Sequence, residues 1–240
     1  DSSINNGYGV NEWSQADLMK LLNPGYESES VGGSLYYNNS SGNCYSNSNN
    51  STTACDFTTT GLKTNLKKLI GDALWNTGSQ GTNSWTSSSN GLASHFYSYE
   101  RSSNTGKICS SGTYCNDTVE RTTTWNGKVG LMYPSDYGYA TSGGTSMNRN
   151  SCLATGLYDW IDASDCYNND WLYNSSNWQW TISPSANSSF AYRVFRVYYT
   201  GRVESNRAHY AGLVRPSVYL ISKTSILGGE GTLENPYTIG

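Results

Sequence analysis

Six cysteines, set in three pairs that are close in sequence, constrain the fold of this 240-residue chain more than any other feature. The pairs are Cys44 with Cys55, Cys109 with Cys115, and Cys152 with Cys166. Six cysteines permit fifteen connectivities, of which pairing between neighbours is the one that we predict. Closing loops this short contributes roughly 2–3 kcal/mol each on the chain-entropy model. With no Cys-x-x-Cys motif and only two histidines, structural disulfides in an oxidising compartment are favoured over zinc.

The composition is typical of an extracellular, β-rich protein. Charged residues make up only 14% of the chain, and its polarity comes from Asn, Ser, Thr and Gly, with 20 Tyr and 8 Trp added. Flat aromatic side chains pack well on pleated sheets. The net charge of −3 indicates no basic stripe, so we exclude nucleic acid as a partner.

No apolar run reaches the roughly 18 residues of a membrane span, and no charged-then-apolar leader opens the sequence. Residues 1–9 are typical of the continuation of an upstream segment. We therefore expect any membrane contact to come only from a hydrophobic helix that precedes residue 1.

Helical spacing in the first third predicts two helices. The first covers residues 14–23, with Ser14 as its cap and Asn-Pro-Gly at its end. The second covers residues 60–78, where leucines repeat at helical spacing and Gly78 follows the last turn. Between them, residues 32–56 are predicted to form a polar Ω-like loop closed by its cysteine pair.

Alternation with a period of two follows. Residues 93–101 are predicted to form a strand, and residues 119–125 a hairpin with residues 129–133. Residues 134–138 are predicted to be a loop, and the segment between Cys152 and Cys166 to contain one or two helical turns.

The last third has the clearest strand pattern. Trp178, Trp180 and Ile182 alternate with polar residues. Residues 192–205 are predicted to form a hairpin around Thr200-Gly201, and residues 213–220 a further strand in which Pro216 indicates an edge or a bulge position. The sequence thus predicts one α+β domain over residues 1–240, in which two N-terminal helices pack on a twisted antiparallel sheet with long, disulfide-stapled loops.

Catalysis has little support in the sequence. His95 lies in a predicted aromatic strand and His209 in a polar loop, and neither neighbours a nucleophile motif. Carboxylates that could converge for glycoside hydrolysis are Glu100, Glu120, Asp136 and Asp170. We predict that the chain is not an enzyme and keep a glycan-active hydrolase as the third hypothesis.

Loops rich in aromatic and amide side chains favour binding. Tyr and Trp give large contact area at small entropic cost, while Asn and Ser adapt their hydrogen bonds. The predicted ligand contacts are Tyr167, Asn168, Asn169, Asp170, Tyr173, Asn174, Tyr198, Arg202, His209 and Tyr210. The alternative, for Trp171 and Tyr173, is that both are core residues.

No cofactor is predicted. Asp165, Asn168, Asn169 and Asp170 cluster as oxygen donors, which leaves calcium as a weak alternative to a simple hydrophilic loop.

Three motifs resemble a known family. They are YGVNEWSQADL at residues 8–18, WNGKVGLMYPSDYGY at 125–139, and GLVRPSVYL at 212–220. Together they resemble the extracellular part of prepilin-type, pilin-like surface proteins of gut Firmicutes that carry a C-terminal domain of unknown function. This resemblance implies an extracellular location, on the cell surface or associated with a pilus.

The order of elements also resembles the C-type-lectin fold, in the branch shared by formylglycine-generating enzymes and the variable proteins of diversity-generating retroelements. That fold implies a ligand surface within residues 167–210. The Glu-Pro-Asn and Trp-Asn-Asp motifs of the sugar-binding lectins are absent from this sequence, so calcium-dependent sugar binding is not implied. The paired active-site cysteines of the formylglycine enzymes are absent too.

The leading hypothesis is therefore a non-catalytic, adhesin-like binding domain whose partner is a host or microbial surface protein or a glycan. A sharper form of it is an adhesin that a retroelement diversifies. The second hypothesis is a structural pilin subunit, whose surface packs against other pilin subunits.

Overall fold

The computed structural model describes residues 8–23, 30–31, 34–35, 39–47, 50–55, 68–79, 83–87, 90–103, 121–185, 192–232 and 234–240. The fold is mixed α+β, with more strands than helices. Among these residues, no helix is both long and apolar enough to cross a membrane.

The chain forms two compact units. That residues 1–240 make up a single domain stays a prediction. Unit 1 consists of Asp1–Ala16, Trp75–Trp125 and Leu131–Pro216. Unit 2 consists of Asp17–Leu74, Asn126–Gly130 and Ser217–Gly240.

Helices of the described segments are short. They are α1 (Asp17–Leu22), α2 (Ala93–Glu100), α3 (Pro134–Ala140), α4 (Arg149–Leu153) and α5 (Ser164–Asn168), with 3-10 turns at Trp13–Gln15, Asn83–Thr86 and Asp159–Asp162. The strands are β1 (Ser30–Val31), β2 (Ser34–Leu35), β3 (Asn39–Asn47), β4 (Asn50–Cys55), β5 (Ala73–Asn76), β6 (Thr124–Gly127), β7 (Val129–Leu131), β8 (Gln179–Pro184), β9 (Arg193–Val197), β10 (Val203–Arg207), β11 (Leu213–Val214), β12 (Pro216–Val218), β13 (Ile226–Gly228) and β14 (Thr238–Ile239).

A four-stranded sheet in the order β10-β9-β8-β11 organises unit 1. The predicted hairpin is confirmed: β9 and β10 pair antiparallel with Val197 opposite Val203. Its tight turn contains Gly201, whose φ of 89° is a conformation that favours glycine. The predicted strand after Trp178 is also confirmed as β8. The sheet is mixed rather than antiparallel, because β11 runs parallel to β8.

The core of unit 1 lies on one face of this sheet. Phe195 and Val197 of β9 and Val203 of β10 pack there, because alternate residues of a strand point to opposite faces. Phe195 meets the rings of Trp85 and Phe96 edge to face, at centroid distances of 5.3 and 5.1 Å. Consequently Arg196 and Tyr198 project from the other face.

Two helices lie where a strand and a loop were predicted. In α2, Ala93, Phe96 and Glu100 are buried at helical spacing. Because one of the three is charged, the apolar residues of the sequence alone did not show this spacing. In α3, Pro134 occupies the first turn, where its missing N–H costs nothing, and Asp136 accepts a hydrogen bond from Tyr133 N at 2.9 Å. A proline and a glycine made this segment look like a loop.

Of the two predicted N-terminal helices, the first is confirmed as α1 and the second needs correction. Ser14 lies in the 3-10 turn Trp13–Gln15, which Glu12 caps by accepting from Ser14 N. The end of the second predicted helix is strand β5, while residues 60–67 lie outside the described residues. Within the predicted Ω-like loop, β3 and β4 form an antiparallel pair. Strands β6 and β7 belong to different sheets, so their predicted hairpin is wrong.

Unit 2 is held partly by one buried amide. The side chain of Asn23 donates to Val129 O and accepts from Val129 N, both at 2.9 Å. Strands β13 and β14 pair antiparallel, with Ile226 opposite Ile239. Gly71 N also donates to Tyr219 O at 3.0 Å.

One predicted disulfide is confirmed. Cys152 and Cys166 are bonded, with Cα atoms 5.4 Å apart, and both are fully buried in the core of unit 1. The bond joins α4 to α5. The predicted pairs Cys44–Cys55 and Cys109–Cys115 involve side chains outside the described part of the structure.

We expect the Cys152→Ala/Cys166→Ala variant to lose about 3 kcal/mol of unfolding free energy. A disulfide that closes a loop of about 15 residues raises the free energy of the unfolded chain by that amount, because it lowers the entropy of that chain. Urea denaturation in oxidising buffer measures the loss. Ser175→Ala, at an exposed loop position, is the control. A double variant as stable as this control would contradict the prediction.

Candidate functional site

The segment after α5 carries several of the predicted ligand contacts and is tied to the helical part of unit 1. Ser142 N donates to Asn169 O at 3.0 Å, and Thr141 forms an isolated β-bridge with Asp170. The side-chain amide of Asn169 donates to Asp165 O at 2.9 Å. These bonds fix the start of the segment that leads into β8.

Four tyrosines from this segment and from the β9–β10 turn form what we call the tyrosine cluster: Tyr167, Tyr173, Tyr198 and Tyr199. The rings of Tyr167 and Tyr173 lie 4.9 Å apart, and those of Tyr198 and Tyr199 lie 4.1 Å apart. Tyr173 Oη donates to Tyr199 O at 2.6 Å, which joins the two pairs. Gly201 packs on Tyr167 so closely that a Cβ atom there would lie 2.3 Å from the ring.

A second array, the arginine–aromatic stack, continues from the cluster. It consists of Trp178, Arg196, Tyr198, Arg202 and Tyr158. The guanidinium of Arg196 lies 4.6 Å from the Trp178 ring and 4.7 Å from the Tyr198 ring. That of Arg202 lies 5.5 Å from Tyr198 and 5.3 Å from Tyr158. These separations are within the range of cation–π attraction.

Glu204 holds both arginines of the stack. One carboxylate oxygen accepts from Arg196 Nε at 3.0 Å, and the other is 2.6 Å from Arg202 Nη2. The side chain of Arg196 is 9% exposed, whereas that of Arg202 is 27% exposed. The two guanidinium groups therefore share one carboxylate at a partly enclosed place, and Arg202 is the one that solvent reaches.

The stretch of sequence that supplies both arginines of the stack is basic, although the net charge of the whole chain is negative. Residues 192–216 contain five arginines and one glutamate, in a chain whose net charge is −3. The density of arginine in this stretch was the sequence signal for Arg196 and Glu204, neither of which was predicted as a site residue.

The side chain of Asp170, in the segment after α5, is buried. Its Oδ1 accepts from Leu172 N at 2.8 Å, while its Oδ2 is buried and has no hydrogen-bond partner among the described residues. Burial raises the pKa of Asp170 to about 8, against the opposing effects of the Leu172 N–H and of Arg215. Asp170 is thus a buried support of the segment and not an exposed ligand contact.

The described carboxylates that were considered for hydrolysis accept hydrogen bonds that support the fold. Glu100 accepts from Ser135 N at 3.0 Å and from Ser135 Oγ at 2.5 Å, so it closes the first turn of α3. Burial raises the pKa of Glu100 to about 7, although these bonds lower it. Asp136 accepts from Tyr133 N in the same turn. Glu120 lies outside the described residues.

His209 and Tyr210 lie at the far end of the hairpin from the tyrosine cluster. Their rings are 4.3 Å apart, and His209 also meets Tyr8 at 5.8 Å. Burial lowers the pKa of His209. Trp180 Nε1 donates to Tyr210 O at 3.2 Å, and the Trp180 ring lies 4.6 Å from that of Trp178, so Tyr210 adjoins the other end of the surface and does not join the tyrosine cluster.

The remaining predicted contacts are exposed or shape the loop. Asn168 and Asn169 are exposed, and Asn174 accepts from Ser176 N at 2.9 Å to form a turn. Trp171 is 73% exposed, so the alternative that it is a core residue is wrong. Tyr173 is half-buried within the cluster.

Two of the oxygen donors considered for calcium, Asp165 and Asp170, accept hydrogen bonds from the backbone. Asp165 Oδ2 accepts from Ser146 N and Met147 N, at 2.5 and 2.7 Å. Within the described segments, no group of three or more His, Cys, Asp or Glu side chains is arranged to hold a metal ion.

We compared the chain with models of protein families, with curated proteins and with solved structures, and found no match in any of the three. The family resemblance therefore rests on the sequence motifs alone, and function is inferred from the geometry of the site.

We expect unfolding free energy to fall as the pH rises from about 4 to about 8, because the folded-state pKa of Asp170 is raised from 3.8 to about 8. The folded state then binds more protons than the unfolded state across this window, so raising the pH favours unfolding. Asp170→Asn keeps the shape and removes the titration, so its stability should fall less over the same interval.

Urea denaturation at pH 4, 6 and 8 measures this difference. Asp162→Asn, at an exposed position of unit 1, is the control. If the unfolding free energy falls equally with pH in Asp170→Asn and in the native protein, Asp170 is not the titrating group.

Proposed function

We propose that this chain is the extracellular, non-catalytic ligand-binding part of a bacterial surface or pilus-associated protein. Its ligand surface consists of the tyrosine cluster, the exposed Trp171 and the open end of the arginine–aromatic stack. The observation that carries the proposal is the exposure of Tyr199, at 44%, within the hydrogen-bonded tyrosine cluster, and of Trp171, at 73%, two residues before Tyr173 of that cluster. Large aromatic side chains that are exposed together are typical of surfaces that bind a partner.

Rigidity supports a binding role. The carbonyl of Gly201 accepts from Tyr137 Oη at 2.7 Å, and Tyr137 is fully buried. The β9–β10 turn is thereby anchored to the core, and Tyr199 in that turn is anchored to Tyr173. A surface that is already ordered loses little entropy when a ligand binds.

The C-type-lectin-like fold is part of this proposal. In that fold the ligand surface comes from the loops and strands of the C-terminal half, and here the aromatic surface lies on residues 158–202. The buried disulfide between Cys152 and Cys166 supports an oxidising, extracellular location. The partner that we propose is a host or microbial surface glycan or protein, and a retroelement that varied the exposed loop codons would change its specificity.

A structural pilin subunit is the second candidate. It is favoured by exposed apolar residues in unit 2, where Ile226 is 64% and Leu227 is 69% exposed on β13. Adjacent exposed aliphatic residues on a strand suit packing against another subunit.

The test is an array of glycans and surface proteins probed with the oxidised chain. We expect a specific ligand whose affinity falls at least tenfold in Trp171→Ala and in Tyr173→Ala, because aromatic residues at the centre of an interface contribute most of its binding energy. Tyr139→Ala, at a tyrosine that is 39% exposed on α3, is the matched control and should bind normally.

Two results would count against the proposal. One is a ligand whose affinity is unchanged in both variants, because it must then bind elsewhere. The other is the absence of any ligand together with fibre formation by the full-length protein that Ile226→Ser/Leu227→Ser abolishes, which favours the structural pilin.

A further inference from the structure

Among the described residues, the two arginines of the stack have one acidic partner between them. Arg196 and Arg202 share the single carboxylate of Glu204. Residues 192–216 contain no other acidic side chain. The partly enclosed setting makes this excess charge matter, because water screens it less than at an open surface.

Arg202 is the arginine that can receive an anion. Its side chain is 27% exposed, and only Nη2 is engaged by Glu204, at 2.6 Å. Its Nε, like Thr200 Oγ1 in the adjacent turn, is buried and has no hydrogen-bond partner within the described segments, so the donors that face an incoming ligand are those at the Nη end of the guanidinium. A guanidinium presents its donors as a flat fork, whose geometry matches the two oxygens of a carboxylate.

Stacking surfaces lie beside this fork. Tyr198 lies 5.5 Å from the Arg202 guanidinium, and the ring of Tyr199, 44% exposed, is 4.1 Å from that of Tyr198. A ligand that fits must therefore combine a carboxylate for Arg202 with a flat, weakly polar face for a tyrosine ring. A sugar ring that carries a carboxylate has both parts.

We propose that the surface binds acidic saccharides, with the sugar carboxylate on Arg202 and the pyranose ring against Tyr199. This inference rests on the proposed function and names its ligand class. Glu204 fixes the guanidinium for this contact, and its charge also limits binding to ligands whose anion reaches the solvent-facing side of Arg202.

The test uses three related disaccharides: cellobiouronic acid, its methyl ester and cellobiose. Titration calorimetry of the whole chain should give an affinity for the acid at least tenfold above that for the ester, and the ester should bind about as weakly as cellobiose. The advantage of the acid should shrink as sodium chloride is raised, because salt screens the charge pair. Cellobiose 6′-sulfate tests whether the site takes any anion.

The variants are Arg202→Gln and Arg202→Lys, with Lys223→Gln as a control that removes the same charge at an exposed position in unit 2. Arg202→Gln should abolish the preference for the acid, Arg202→Lys should retain part of it, and Lys223→Gln should leave it unchanged. Thermal unfolding shows whether each variant is folded, and the comparison of acid with ester requires no variant at all.

Equal affinity for acid and ester overturns the inference, and so does tighter binding of the sulfate. If the array finds a neutral or protein ligand that Trp171→Ala loses, the proposed function stands and the acidic-saccharide inference fails. If no ligand of any kind binds, both fail.

Discussion

The register of the β9–β10 hairpin determines both the core and the candidate surface. Because Val197 lies opposite Val203, the valines and Phe195 enter the core together, and Arg196 and Glu204 come opposite each other on the other face. A slip of one residue would bury the arginines and expose the valines. The apolar burial that stabilises unit 1 therefore also brings the charged residues of the surface together.

Glu204 shows why the surface is ordered without being neutral. A buried or half-buried arginine is costly unless an acid pairs with it, and one carboxylate here serves two guanidinium groups. Each guanidinium also lies near two aromatic rings, whose negative faces attract it. The arginines of the stack are thus stabilised both by Glu204 and by the neighbouring aromatic rings.

The parts of the fold that the sequence predicted correctly have a local signal of their own. In β8 apolar and polar residues alternate, in the β9–β10 hairpin Gly201 marks the turn between two strands, and in α1 apolar residues repeat at helical spacing. The helix α2 was missed because Glu100 occupies a buried position, where its carboxylate accepts from Ser135 and pairs with Arg101. Ser135 is distant in sequence, so no local pattern contains that partner. Of the site, Tyr167, Tyr173, Tyr198 and Arg202 were predicted, whereas Trp178 and Arg196 join them only through the strand pairing.

Gly201 packs closely against Tyr167, so substitutions are excluded at this point of the surface and tolerated at its exposed positions. No side chain fits at Gly201, so the hairpin tip and the ring beneath it must be kept together. Trp171 and Tyr199 stand mostly in solvent, and changing them removes little from the core. Such a chain can change what it recognises through its outermost side chains while the same inner scaffold is inherited unaltered.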